Sequence, residues 1–382
     1  MSRSVSGDHI LFDECIHSFR LKPDGYRLKE GPSRAYLFTD FCLNTPWNLP
    51  NFTVNPSIRV ELPTPYRAFI SKIDNVESCD ANNPHLYGIA LSAIISFTTG
   101  RVCKSTRDDY TYLGPTLTDK DATALSLSHP VVAMGLGAVS TTLSERTLNK
   151  YKEDISSIVD SLHAVPYEKY VVLMQAIRLV HLSILIRKED FGLAYSMIVA
   201  AIEAVAQKAI SRNKVKTKNP KEKQWELRAN TKGEEEFSEL FELYKTARGQ
   251  NSYLTERYIK FINDFAPTAD WDSIVDHPQK NSLESFEGFN TPEEVLYATR
   301  KRWWEKYPSD FTDDEIKEIL IESYSHRSCF VHRGEQPPHQ SPVSHDRFFQ
   351  MIPGYGGDKY LPNYELLLGI AQLSIRNWMN KN

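Results

Sequence analysis

The chain has 382 residues, 41% of them hydrophobic and 25% charged, with a formal net charge of -4. That composition excludes wholesale disorder, a collagen-like repeat and a disulfide-rich miniprotein, and at roughly 100–200 residues per domain it predicts two or three domains. The slight acidity excludes a global basic field for gripping nucleic acid and leaves only local basic patches for that purpose.

The first 130 or so residues are dense in proline: Pro23, Pro32, Pro46, Pro50, Pro56, Pro63, Pro65 and Pro84. The short β-prone runs His9–Phe12, Arg34–Thr39, Ser57–Leu62 and Arg67–Lys72 lie between turn residues, which predicts strands joined by loops. Tyr87–Thr99 is longer and rich in Ala, Leu and Ile, which predicts a buried helix. Residues 1–140 are therefore expected to form an α+β domain, suited to sensing or to binding a regulatory partner.

The pattern turns helical from about Leu143. Pro166 suits the first turn of a helix reaching about Arg187. Further helices are predicted over Phe191–Ser211, Glu234–Arg248 and Leu254–Phe265 from apolar residues at helical spacing. Thr291-Pro292-Glu293-Glu294 and Thr312-Asp313-Asp314-Glu315 are capping boxes, each opening a helix. The second helix should stop at Gly334, before Pro337-Pro338, and a last one should cover Asn363–Met379. With no clear strand among them, these segments predict an antiparallel bundle over residues 141–382. A basic insert at 208–232 and a polar loop at 267–290 interrupt it. The fold class expected is thus mainly α, a helical bundle preceded by an α+β domain.

The five cysteines are odd in number and widely spaced, without a C-x-x-C pair. This argues against a zinc site or a disulfide framework and for a reducing compartment. Met1–Gly7 lacks an apolar core. The apolar runs Tyr87–Phe97 and Tyr170–Ile186 are too short or too interrupted to predict a membrane span. The expectation is a soluble, cytoplasmic protein with no metal, no cofactor and no membrane partner.

The stretch richest in chemistry is Tyr324-Ser325-His326-Arg327-Ser328-Cys329-Phe330-Val331-His332-Arg333-Gly334-Glu335. On a helix, Arg327 and His332 lie about 140° apart around the axis and about 7.5 Å apart along it, with Tyr324 and Ser328 between them. Metal-free RNA cleavage needs a base for the 2′-hydroxyl, an acid for the leaving 5′-oxygen and a cation for the phosphorane. Arginine supplies a permanent cation with a two-pronged grip on phosphate, and histidine moves protons near neutrality. One histidine cannot stand on both sides of an in-line displacement, so a two-fold dimer is expected to bring the second.

This stretch resembles the HEPN superfamily, most of all its Apea-like branch, in the R-x4-H spacing followed by Val331-His332-x-Gly334-Glu335. Ala194–Val205, with Glu203 inside an apolar helix, is similar to the family's early bundle helix. The resemblance covers roughly residues 166–382. It implies a dimeric, metal-independent endoribonuclease acting as a toxin or in defence against phage, with Arg327 and His332 as the catalytic pair. Where the family often has Asn, Asp or His after the arginine, this chain has Ser328.

Ser328, Tyr324 and Glu203 are the supporting candidates. A buried carboxylate needs a partner, for which Arg327 is the obvious candidate; Glu203 either orients Arg327 or His332 within a site, makes an ordinary ion pair inside the bundle, or is exposed. In the basic insert, Lys214, Lys216, Lys218, Lys221 and Lys223 are candidate RNA contacts, although such runs are commonly solvated loops. Trp303-Trp304, among Arg300, Lys301, Arg302 and Lys306, combines base-stacking rings with cations, although one Trp in the core and the other at an interface is the commoner arrangement. The reading from another class is a non-catalytic HEPN module that dimerises or binds RNA as an adaptor, with Arg327 structural.

Overall fold

The computed structural model describes residues 8–20, 35–49, 52–61, 67–74, 84–106, 117–131, 142–215, 221–250, 253–275, 305–335, 347–352 and 359–381. The described residues are mainly helical, with a small sheet in the N-terminal part.

Helix α1 (Asp8–Phe19) leads into β1 (Tyr36–Thr39), β2 (Trp47–Leu49), β3 (Phe52–Val54), β4 (Ile58–Glu61) and β5 (Arg67–Asp74). Then come α2 (Pro84–Thr99), β6 (Cys103–Ser105) and α3 (Asp119–Ser128). The sheet is antiparallel in the order β2-β3-β5-β1-β6, and β4 shares with β3 one edge of the long strand β5. Both of its faces are covered. Tyr36, Phe38, Ala68 and Ile70 pack under Ala122 and Leu125 of α3, while Leu37 and Ile73 face the main core. Side chains alternate across the pleat, so neighbouring residues serve different cores.

The expected strand at His9–Phe12 is instead the start of α1. Phe12, Cys15, Ile16 and Phe19 recur at helical spacing and are all buried, so the period of the apolar residues outweighs the short β-prone run. Strands β2, β3 and β6 had no sequence expectation, each being three residues long.

The bundle runs through α4 (Glu145–Ala164), α5 (Tyr167–Ile186), α6 (Phe191–Ala209), α7 (Arg212–Val215), α8 (Glu222–Ala229) and α9 (Glu235–Gln250). It continues with α10 (Leu254–Phe265), α11 (Trp271–Ile274), α12 (Asp313–Arg333) and α13 (Tyr364–Met379). Asp190 caps α6 by accepting from Leu193 N at 2.9 Å, which turns the chain back along α5. Helix α6 is the hub and packs on α5, α10, α12 and α13. Helix α5 is long and apolar enough to cross a membrane by length and composition. In this fold it is a core helix, with Tyr170, Met174, Ile177 and Ile184 buried along one side.

The helical half is not free of strands. β7 (Phe349–Ile352) and β8 (Lys359–Pro362) pair antiparallel, and β8 packs on α12. The loop expected at 267–290 begins instead with a 3₁₀ turn at Thr268–Asp270 and α11. Trp271 is fully buried there and donates its indole N–H to Ala266 O at 2.7 Å, so a large apolar side chain anchors a stretch that reads as polar. The basic insert likewise folds into α7 and α8. The rest of the loop, the capping box at Thr291 and the Trp303-Trp304 cluster apart from Lys306 lie outside the described residues.

One core crosses the boundary expected near residue 140. Phe12, Leu37, Tyr87 and Ile94 share it with Ile155, Ile177, Ile198 and Ile370. Polar contacts reinforce the seam: Tyr170 Oη donates to Ile16 O at 2.7 Å, and Arg20 donates to Leu162 O and Val165 O, each at 2.6 Å.

Helix α13 passes close to α11 at Gly369, where an added Cβ would run into Ile274 Cγ2. Overpacking of this kind costs about 1–3 kcal/mol, against a helix-propensity gain for alanine of about 1 kcal/mol. Gly369→Ala should therefore lower the urea midpoint by the equivalent of about 1–2 kcal/mol, and adding Ile274→Ala should cost less than the two separate losses summed. Strict additivity of the pair would refute the close approach.

Candidate functional site

Helix α12 carries the site. It opens with the expected capping box: Thr312 Oγ1 accepts from Glu315 N, and the Glu315 carboxylate accepts from Thr312 N at 2.8 Å. It closes at Gly334, whose φ of 70° terminates the helix by a left-handed cap. Ile316, Ile319, Leu320, Ser323 and Tyr324 face the core, whereas Val331, His332 and Arg333 are exposed on the last turn. The Ser325–Phe330 segment between them is half-buried, so the helix emerges from the bundle as it approaches its C-terminus.

One hydroxyl contact and one ring contact fix the angle of α12. Tyr195 on α6 donates to Ser323 Oγ at 3.1 Å, and the rings of Tyr258 and Tyr324 lie 5.4 Å apart. This brings Arg327 against α6, where its Nη2 stands 3.1 Å from Glu203 Oε2. The Glu203 side chain is only 7% exposed and that of Arg327 is 22% exposed. Glu203 Oε1 also accepts from Gln207 Nε2 at 3.1 Å, and Tyr324 hydrogen-bonds to the same carboxylate. Burial and the Glu203 charge push the Tyr324 phenol up to about 12, against the opposing pull of Arg327. Tyr324 is thus a neutral donor across the physiological range. The ion pair with Glu203 holds the guanidinium on its inner side, where its Nε is buried and makes no hydrogen bond among the described residues.

His332 is exposed near the C-terminal end of the helix, one residue after the exposed Val331. Ser328 is half-buried on the turn that carries Arg327. Helix α12 therefore places Arg327, Ser328 and His332 on its last turns, with Glu203 and Tyr324 behind the arginine.

Lys214, Lys221 and Lys223 are exposed on or beside α7 and α8, and Lys216 and Lys218 lie outside the described residues. Helix α7 packs on α10, a neighbour of α12, whereas α8 packs on α9. The insert starts just past the end of α6, where Arg257 donates to the carbonyl oxygens of Gln207 and Ile210. Lys208 thus follows within two turns of Glu203 in the chain.

Sequence reasoning missed a second ionic group on the other side of α12. His326 Nε2 lies 3.6 Å from Glu322 Oε1, and Lys359 from β8 reaches the same carboxylate at 3.3 Å. Burial pulls the His326 imidazole below its ordinary value, more strongly than Glu322 raises it. The i, i+4 spacing of Glu322 and His326 signals their contact, as does that of Glu203 and Gln207. Lys359 belongs to a strand that sequence reading did not foresee.

No family model, curated protein or solved structure matches the chain. Fold and site together define a mainly α protein with an N-terminal sheet, whose bundle presents an arginine-anchored polar strip at the open end of one helix.

Proposed function

We propose that the chain is a HEPN-type endoribonuclease that cleaves RNA by 2′-hydroxyl attack, without metal, and that works as a toxin or defence effector in the cytoplasm. The observation that carries this reading is the strip itself. A permanent cation is held from behind by a buried carboxylate, and an exposed imidazole stands about one and a half turns further along the same helix. Glu203 and Tyr324 set the direction of the guanidinium, and the N–H groups on its exposed side would hold a scissile phosphate. His332 would exchange the proton at a ribose oxygen. A second copy of the strip, across a two-fold axis, would complete the acid–base pair. The N-terminal layer would receive the controlling partner.

A second reading draws on the same ion pair. Arg327 held by a buried Glu203 also suits a structural role in a non-catalytic dimerisation or RNA-binding module. The test separates the two. Labelled single-stranded RNA is incubated with the protein in excess chelator, beside Arg327→Ala and His332→Ala. Cleavage giving 2′,3′-cyclic phosphate ends, lost in both folded variants, supports the nuclease. Identical traces for the three proteins would sink it.

A further inference from the structure

Three helices meet at the end of the bundle where the strip opens. Helix α10 runs against α6, because Arg257 on its first turn donates to the last carbonyls of α6, Gln207 O and, at 2.8 Å, Ile210 O. Helix α12 runs against α10 in turn. The 3₁₀ turn Pro308–Asp310, just before α12, packs on α11 and on the turn at Thr268–Asp270, which follow α10. Tyr324, midway along α12, meets Tyr258 near the start of α10. Helices α6 and α12 are therefore parallel, and their C-terminal ends share one end of the bundle. Two contacts agree: Tyr195 bonds to Ser323 and Glu203 pairs with Arg327, in the same order along both helices.

This fixes what lies beside the strip. Tyr324 stands level with Tyr258, and so with the last turn of α6 that Arg257 holds. His332 is eight residues further on, about 12 Å along the axis. The last turns of α12 thus rise past the end of α6, where the chain continues into α7 and α7 packs on α10. Lys208, Arg212 and Lys214 are exposed there, and none of them has a carboxylate partner among the described residues. Arg212 is near enough to the buried Arg257 to add to the effect of burial in pulling its pKa down. The described carboxylates on the adjoining turns of α10 and α12 are Glu256, near Tyr324, and Glu335, which faces Arg333 at 3.6 Å. Cations held together without a counter-charge on a braced helix end favour a polyanion.

We propose that Lys208, Arg212 and Lys214 form a phosphate-binding ledge for single-stranded RNA, which passes from α7 over the end of α6 to Arg327 and His332. The ledge stands on placement and charge, while RNA as its occupant rests on the nuclease reading. A single strand is specified because attack by a 2′-hydroxyl needs a backbone free to align the leaving oxygen. Contacts to phosphate fix position along the strand and carry no base preference.

Binding is read by fluorescence anisotropy with a short single-stranded RNA whose riboses are all 2′-O-methylated, so that the strand survives. Affinity is followed across a salt series for the full-length wild type and two triple variants. One is Lys208→Ala/Arg212→Ala/Lys214→Ala. The other, Lys120→Ala/Arg146→Ala/Lys150→Ala, removes equal charge from α3 and α4. All six positions are exposed, so the circular dichroism spectra should match. Each phosphate contact on a single strand adds about 0.7 to the slope of log affinity against log salt. The ledge variant should therefore lose about two from that slope and bind several-fold more weakly at low salt, and the second variant should keep the wild-type slope. A ledge variant with wild-type slope and affinity overturns the proposal, as does a wild type that does not hold the strand. Equal losses in both variants overturn it too, because they trace binding to net charge. Cleavage of unmodified RNA is scored separately. Intact RNA beside a difference in slope removes the nuclease and keeps the ledge, whereas cleavage without that difference keeps the nuclease and removes the ledge.

Discussion

Replacing Arg327 with alanine should cost stability as well as activity, whereas replacing His332 should cost activity alone. The arginine is the charge partner of a carboxylate that is 7% exposed, so its removal strands Glu203 among apolar neighbours on α6. Breaking a fully buried pair costs about 3–5 kcal/mol. Because the arginine is itself one-fifth exposed, about 2–3 kcal/mol is expected here. His332 lies on the surface, where substitutions stay within about 0.5 kcal/mol. Urea melts of the two variants separate these outcomes. Adding Glu203→Gln to Arg327→Ala should recover part of the loss, because the neutral amide no longer needs a cation. An Arg327→Ala protein as stable as the wild type would show that Tyr324 and Gln207 alone satisfy Glu203. If the strip is catalytic, Arg327→Ala should also lose about 10²–10³-fold in cleavage rate, the usual cost of removing one preorganised charge-stabilising donor. Arg327→Lys should not restore it, since an ammonium lacks the planar fork.

The second large effect concerns pH. His181 on α5 is buried, and its Nε2 donates to Cys103 O at 2.9 Å on the N-terminal sheet. Its Nδ1 has no hydrogen-bond partner among the described residues. Burial pulls its pKa down to about 4, helped by the nearby charges of Arg178 and Lys104 and opposed by the Cys103 carbonyl. In the unfolded chain the same imidazole titrates near 6.5. Between these values the unfolded state binds more protons, so stability falls as pH drops from about 6.5 and levels off near 4. The loss from this one group should be about 3 kcal/mol. His181→Gln keeps a donor for the carbonyl and removes the titration. Its stability should fall less steeply over that window, by denaturant titration at each pH. Parallel wild-type and variant curves would show that His181 does not titrate differently on folding.

Several parts of this architecture were legible in the sequence because they rest on local rules. The capping box at Thr312 and the stop at Gly334 bracket α12, and the apolar period places α5, α6, α10 and α13. The contact between Glu203 and Arg327 follows from the cost of burying a carboxylate alone. What escaped depends on tertiary partners. β2, β3 and β6 are too short for period two to register, and they exist because β5 and β1 offer edges. β7 and β8 lie in a stretch whose neighbours are all helical, and β8 is held by packing on α12. Trp271 reads as an isolated aromatic in an acidic segment until α11 is seen beneath α13. Of the site, the residues on α12 were legible from spacing, while Lys359 was not, because it comes from another element.

The shared interior described above also bears on the control proposed for the N-terminal layer. Gln372 of α13 donates to Phe97 O of α2, and Ile94 and Ile370 belong to a single apolar mass. Cutting away the first 140 residues would strip α4 and α5 of their cover and leave an oily surface bare to water. A signal arriving at the sheet would then act by tightening or straining a continuous solid, since the layer is built in and cannot swing aside like a hinged door.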